Sequence, residues 1–379
     1  MADVSKIIED VQKEVNQFLT SSLGVEEHGD IKQIPLGIDY LDLLLGGGIG
    51  ESTFTVAVGY SGSFKSTIAI EVAKAFKRYN ELSPIIYIDT ESAMTQHRLT
   101  SIGLPNIKPI TGFTVEKVLA TIDALGAWKE TKIKEDPKFK DVPILVIWDS
   151  IANTPVEAEL ADGSTDVNKF IGLKARILSG NLPKTIEKMR KYKIALYAIN
   201  QFRDKVSIGL FQSPSELKHM QHDKTMPGGS SIMFNAAQML EFRTVEHKTA
   251  EESKYGFRHA KVEIKTVKNK FFPDGYKCRV IIDVARGVDN LYTNFELLSE
   301  HKRMTVGAWN YLKSYPDKKF RTKDLRTVYQ TDEAFRNAFD SEVKSLIQEL
   351  KAKMSNFQSI ENHVETSSSD QDTPPIEVT

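Results

Sequence analysis

Nine consecutive residues, Gly59-Tyr60-Ser61-Gly62-Ser63-Phe64-Lys65-Ser66-Thr67, carry the chemistry of anion binding. The glycines let a turn bring backbone N–H groups close to a phosphate, and a helix starting at its far end adds its own N-terminal donors. The Lys65 ammonium can reach the outer phosphates of a nucleotide, and the Ser66 hydroxyl is placed to ligate Mg2+. Phe64 stands where a glycine usually precedes the lysine of such a loop. Taken alone, the run also fits an ordinary Gly/Ser turn. Two carboxylates extend the pattern. Asp149 ends the apolar run Ile144-Leu145-Val146-Ile147-Trp148, where it can hold the water shell of a magnesium ion or, more plainly, cap a helix. Glu91 follows Ile85-Ile86-Tyr87-Ile88-Asp89 and would face the crevice at that strand's C-terminal end, placed to orient and deprotonate a water. A surface acid is the simpler reading of Glu91. Convergence of these strand ends favours hydrolysis of a phosphoanhydride over storage of a nucleotide.

Such residues need a scaffold, and the chain supplies one. Short apolar runs at Thr53 to Val58, Ile85 to Asp89, Ile144 to Trp148 and Ile194 to Ile199 alternate with helical patterns at Ser66 to Tyr79, Val115 to Trp128 and Lys184 to Lys191. Uninterrupted apolar strands separated by helices predict an α/β fold whose mainly parallel sheet is covered on both faces. Alternating strands near 238–246, 260–268 and 278–285 predict an antiparallel extension of that sheet. Residues 3 to 20 place Val4, Ile7, Ile8, Val11, Val15 and Phe18 at helical spacing, giving an arm that packs on its own domain or on a neighbouring subunit. Helical patterns are expected near Thr305 to Ser314 and Asp332 to Leu350. The expected divisions are an N-terminal arm at 1–32, a core at 33–287, a small C-terminal domain at 288–353 and an acidic, disordered tail at 354–379.

Composition excludes several classes. Fifty Lys+Arg against 51 Asp+Glu leave a net charge of -1, so any contact with nucleic acid must come from a local patch. The lone cysteine, Cys278, excludes a disulfide framework and a cysteine-based zinc site. No apolar run approaches the roughly 18 residues of a membrane span, and the acidic, amphipathic N-terminus is unlike a signal peptide. A soluble protein of a reducing compartment is the expectation.

The motifs together resemble the RecA-type recombinases. The resemblance is carried, in order, by Ile34-Pro35-Leu36-Gly37-Ile38-Asp39-Tyr40-Leu41-Asp42 with Gly46-Gly47-Gly48-Ile49, by Tyr87-Ile88-Asp89-Thr90-Glu91-Ser92-Ala93, and by Ile147-Trp148-Asp149-Ser150-Ile151-Ala152. Ile199-Asn200-Gln201, Val267-Lys268-Asn269-Lys270 and, more weakly, Gly307-Ala308-Trp309 continue it. The Ser63-Phe64-Lys65-Ser66 variant is similar to the phosphate loop of the UvsX-type recombinases of bacteriophages. The resemblance implies a RecA-like P-loop ATPase core that binds ATP and Mg2+ through residues 59–67 and Asp149. It implies Glu91 as catalytic carboxylate, with Lys65, and Gln201 as sensor of the γ-phosphate. Lys268 and Lys270 would reach the ATP of the adjacent subunit, and Phe234 would insert into that neighbour. Thr95 and Arg98 fall where the family carries an acid and a tyrosine that help hold adenine. Pro183 cuts the helix after the first loop.

Two long polar segments complete the reading. Residues 153–168 carry Glu157, Glu159, Asp162 and Asp166 and resemble the family's first DNA loop, which wedges between bases. Residues 202–230 carry Phe202, Arg203, Lys205, Phe211, Lys218, Lys224 and the pair Gly228-Gly229, a mixture suited to single strands because cations hold phosphates while rings stack on bases. A mobile lid with incidental charge would look similar. Arg176 and Lys265 are DNA candidates by position. The implied function is a DNA-dependent ATPase that forms helical filaments on single-stranded DNA, pairs it with homologous double-stranded DNA and exchanges strands. Single-stranded-DNA-binding and mediator proteins are the implied partners, the membrane is not, and the cytoplasm, that of a host cell if phage-encoded, is the implied location. A hexameric helicase of the same fold and an ATP-clamped, DNA-binding regulatory scaffold are the alternatives.

Overall fold

Apolar runs that alternate with helices have one economical arrangement, strands side by side with helices on both faces, and this is what the chain adopts. The computed structural model describes residues 2–23, 29–162, 170, 172–204 and 224–368, in two units divided after Lys32. The first unit is the helix Ala2–Leu23 (α1), on which Val11 and Val15 are exposed. The second begins with the strand pair Gln33–Ile34 (β1) and Ile49–Gly50 (β2) around the helix Asp39–Leu45 (α2). Then follow Phe54–Gly59 (β3), Lys65–Tyr79 (α3), Ile85–Asp89 (β4), Gln96–Ser101 (α4), Pro109–Ile110 (β5) and Val115–Glu135 (α5). Ile144–Asp149 (β6), Glu157–Asp162 (α6), Leu173–Lys191 (α7) and Ile194–Gln201 (β7) come next. Arg203–Asp204 (β8) pairs with Lys224–Thr225 (β9), and Ser230–Asn235 (α8) leads to Gln238–Lys248 (β10), His259–Asn269 (β11), Lys277–Asp283 (β12) and Gly287–Val288 (β13).

The large sheet runs β13-β12-β11-β10-β3-β7-β6-β4-β5. Every pair from β10 to β5 is parallel and every pair from β10 to β13 is antiparallel, as the sequence pattern predicts. Strand periodicity then sorts the core. Ile144, Val146 and Trp148 of β6, with Ile194, Leu196 and Ala198 of β7, face one apolar cluster with α5, α7 and α8. Leu145, Ile147, Ala195, Tyr197 and Ile199 face the other, with α3. Both faces being dry, these strands read as continuous apolar runs rather than as alternation.

Residues 288–353 continue this core. Tyr292 and Phe295 of the helix Asn290–Glu300 (α9) lie in the same cluster as Leu41 and Leu44 of α2, with Phe335 and Phe339 of the last helix. The helix expected at 305–314 is instead a small antiparallel sheet of Met304–Thr305 (β14), Asn310–Leu312 (β15) and Tyr315–Phe320 (β16). Val306, Trp309 and Leu312 mimic helical spacing, yet Val306 and Trp309 are exposed and only Leu312 is buried. Leu325–Thr331 (α10) precedes Glu333–Ser368 (α11), so helix extends well past residue 354, where a disordered tail was expected; 369–379 lie outside the described residues. Pro183 does not cut α7 either. The carbonyl it deprives of a partner belongs to Ser179, which is exposed, while buried Leu178, Leu182 and Met189 carry the helix past it.

Candidate nucleotide site and its surroundings

β3 delivers the chain to the phosphate loop and α3 takes it away, so the loop sits at the C-terminal edge of the parallel strands. Phe64 adopts φ 64° and ψ 21°, a left-handed conformation that glycine reaches at less cost. It is held there by packing against the apolar cluster that contains α3. Lys65 is buried, and its Nζ donates to Gly59 O (3.0 Å), Tyr60 O (2.7 Å) and Ser63 Oγ (3.1 Å). The ammonium therefore lies inside the curl of the loop. Burial pushes its pKa down to about 8, while Asp149 and Glu91 pull it back up. The Ser66 hydroxyl donates to Asp149 Oδ2 at 2.7 Å, and the Tyr87 hydroxyl donates to the same oxygen at 2.9 Å. Burial raises the Asp149 carboxyl, against the lowering effect of those two donors. A hydroxyl and a carboxylate in contact beside a phosphate loop form the oxygen donor set that a hard divalent cation requires, so Ser66 and Asp149 fit Mg2+.

The other strand ends meet here. Asp89 pairs in register with Asp149, and Gly59 with Gln201. Glu91 Oε1 accepts from Gln201 Nε2 (2.9 Å), Asn153 Nδ2 (2.7 Å) and the Ser150 hydroxyl (3.0 Å). Asp89 fixes the turn that carries Glu91, accepting from the backbone N–H of Glu91 (3.1 Å) and of Met94 (2.8 Å). Glu91, Lys65, Ser66, Asp149 and Gln201 are thus gathered in one place, as the strand-end argument expects. Tyr87 and Ser150, which lie within the motif segments but carry no role in them, and Asn153, which lies outside them, join the group; only parallel register, which sets the end of β4 against the end of β6, could have pointed there. A cavity of about 270 Å³ opens beside the loop, lined by Phe64, Thr67, His97, Arg98, Ile282 and Gly287 among others. Arg98 is thus beside the phosphate loop, whereas the Thr95 hydroxyl caps α4 by accepting from the Arg98 N–H at 3.2 Å.

Residues 2–289 match the family model for the RecA N-terminal domain. The chain belongs to the RecA family. It is 23% identical to the RecA protein of Gloeobacter violaceus over 304 residues, covering 80% of this chain and 75% of that one. It is 29% identical to the RecA of Levilactobacillus brevis over 295 residues (76% and 69%). With the RecA of Helicobacter acinonychis it shares 25% over 356 residues (91% and 92%). The fold is accordingly the RecA-like α/β core of a RecA-type recombinase.

In this RecA-family chain the candidate DNA residues are placed less uniformly. The segment after β7 opens with Phe202, buried and edge-on to Tyr60 (5.9 Å between centroids), so it lies against the phosphate loop rather than free for stacking on a base. Arg203 lies on β8, in the ribbon that closes the base of this segment. Lys205, Phe211 and Lys218 lie outside the described residues. Gly228 and Gly229 have positive φ, 95° and 76°, and a Cβ on Gly228 would meet Ile232 Cδ1 at 2.4 Å. One on Gly229 would meet Ala175 Cβ at 2.9 Å, so close packing of α8 on α7 accounts for both glycines. Arg176 is exposed on the first turns of α7. Lys265 lines a surface cavity with Arg243 and Lys277; it pairs with Glu241, which in turn pairs with Val58, so it lies two strands from β3 and level with the start of the phosphate loop. Phe234 is 66% exposed on α8, and Lys268 Nζ donates to the carbonyls of Met233 (2.7 Å) and Phe234 (2.8 Å). Burial lowers the Lys268 pKa, with neighbouring Lys270 in the same direction. Among the described residues, no helix is long and apolar enough to cross a membrane.

Proposed function

We propose that this chain is a DNA-dependent ATPase that assembles into helical filaments on single-stranded DNA, pairs the strand with homologous duplex and exchanges strands. The observation that carries the reading is the bond from Gln201 Nε2 to Glu91 Oε1. It ties the carboxylate suited to deprotonate water to the strand end from which segment 202–230 departs, so hydrolysis and DNA grip share one contact. Loop N–H groups and Lys65 would hold the β- and γ-phosphates of ATP, and the cavity beside Phe64 and Arg98 would take the nucleoside. Ser66 and Asp149 would hold Mg2+, which neutralises charge on the phosphates when bound. Glu91 takes the proton of the attacking water, and Gln201 loses its orientation when the γ-phosphate leaves.

Lys268 and Lys270 support a site completed by a second subunit. Lys268 pairs with Met239 and Asn269 with Gln238, and Gln238 faces Thr55 at the start of β3. The phosphate loop leaves the opposite end of that strand, so the two lysines serve a neighbour's nucleotide, next to the exposed Phe234. Head-to-tail contacts of this kind propagate into a helix. The Phe64 loop leads us to place the chain with the UvsX-type branch of bacteriophages, acting in the host cytoplasm with single-stranded-DNA-binding and mediator proteins.

The test is electron microscopy of the full chain with single-stranded DNA, with and without a non-hydrolysable ATP analogue, beside ATPase assays. Nucleotide-dependent helical filaments and DNA-stimulated hydrolysis are expected. Glu91→Gln should keep the filaments and lose nearly all turnover. Single particles with no affinity for the DNA would end this reading.

A further inference from the structure

Glu91 is exposed, and a long exposed side chain is costly to hold in one geometry. Its carboxylate is nevertheless held from two sides that differ in kind. Gln201 approaches from the end of β7, where the chain departs into segment 202–230. Ser150 and Asn153 approach from the turn after β6. That turn is pinned on both sides of Asn153. The Ile151 N–H donates to Ile199 O (2.9 Å), buried Trp148 Nε1 donates to the Thr154 hydroxyl (2.6 Å), and that hydroxyl donates to Ser150 O (2.7 Å). Lys174 Nζ reaches in from α7 to the carbonyls of Ile151 and Ala152, at 3.1 Å each. Asn153 stands exposed on this rigid support and makes the shortest of the three bonds to Glu91, at 2.7 Å.

We propose that Asn153 is a positioning residue for hydrolysis. Its amide aims the Glu91 carboxylate from a fixed platform, whereas Gln201 reports the state of the DNA segment. The inference rests on Glu91 being the hydrolytic carboxylate. A group aimed in advance needs no reordering at the moment of reaction, and that advantage falls on kcat rather than on nucleotide binding.

The experiment measures kcat and KM for ATP, with and without single-stranded DNA, for the full chain and for Asn153→Ala and Asn153→Asp. Loss of one hydrogen bond to a charged group should lower kcat about tenfold in Asn153→Ala. KM should stay near that of the parent, and the ratio of DNA-stimulated to basal rate should be kept. Asn153→Asp has nearly the same shape but sets a second carboxylate beside Glu91, so its kcat should fall further than that of Asn153→Ala. A packing role would reverse this order. The proposal is overturned by an Asp variant as fast as the Ala variant, by either variant matching the parent, or by a melting temperature lowered in both. Loss of the stimulation ratio with an intact basal rate would overturn it too, by making Asn153 part of the DNA relay. If the parent chain hydrolyses no ATP, the proposed function fails as well, which separates that failure from this one.

Discussion

Lys65 sits in its loop as a cation that already has partners. Two carbonyls and a hydroxyl hold its ammonium, and burial weakens its hold on the proton, to a pKa of about 8. A phosphate in the loop would favour the protonated form, so the loop binds nucleotide best where the lysine is still charged. Below about pH 8 the free chain carries the charge, and above it binding must first restore the lysine's one proton, at a cost of about tenfold in affinity per pH unit. Affinity for a fluorescent ATP analogue should therefore be nearly constant up to pH 7 and about tenfold weaker at pH 9. An equal Kd at pH 7 and pH 9, together with an unchanged Kd in Lys65→Met, would show that Lys65 is not the group that meets the phosphates.

Elements are tied together by polar groups as well as by apolar surface, and Gln238 is the clearest instance. It is fully buried at the start of β10. Its Nε2 donates to the carbonyls of Leu45 (3.0 Å) and Gly48 (2.9 Å), and its Oε1 accepts from the Thr55 hydroxyl on β3 (3.1 Å). One amide thus joins the antiparallel extension, the parallel block and the loop after α2. Gln238→Leu keeps the bulk but strands three buried groups, each worth about 1–3 kcal/mol. Urea unfolding should show a loss of at least about 3 kcal/mol at unchanged slope. A loss under about 1 kcal/mol would mean that water takes the amide's place. This contact also marks what a sequence can and cannot convey. The runs at β3, β4, β6 and β7 are readable because strands buried on both faces are apolar throughout, and parallel strands necessarily gather Gly59, Glu91, Asp149 and Gln201 at one edge. Gln238, Asn153 and Tyr87 act through partners 193, 62 and 62 residues away, and no local spacing announces them. The β14–β16 sheet was hidden for the opposite reason, because Val306, Trp309 and Leu312 imitate a helical stripe. Helix α7 passes through Pro183 because tertiary packing outweighs one lost bond.

At the scale of the molecule, the question is which copy completes which site. A net charge of -1 offers no general attraction between copies or to DNA, so assembly must depend on specific contacts. Lys65 and Glu91 stand at one end of the sheet and Lys268 and Lys270 at the other, one strand pair beyond β10. If ATP lies between subunits, a Glu91→Gln chain still presents intact lysines, and a Lys268→Ala/Lys270→Ala chain still presents an intact Glu91. Each variant alone should be nearly inactive on single-stranded DNA. Mixed one to one before DNA is added, they should recover activity, because random head-to-tail assembly places a complete set at about one seam in four. The recovered rate should approach that fraction of the parent's and should vanish when each variant is assembled on DNA separately before mixing. No recovery, with both variants shown by microscopy to enter the same filaments, would place the lysines at their own chain's nucleotide or away from nucleotide altogether. That result would remove the reason for a shared site while leaving the phosphate loop and Glu91 untouched.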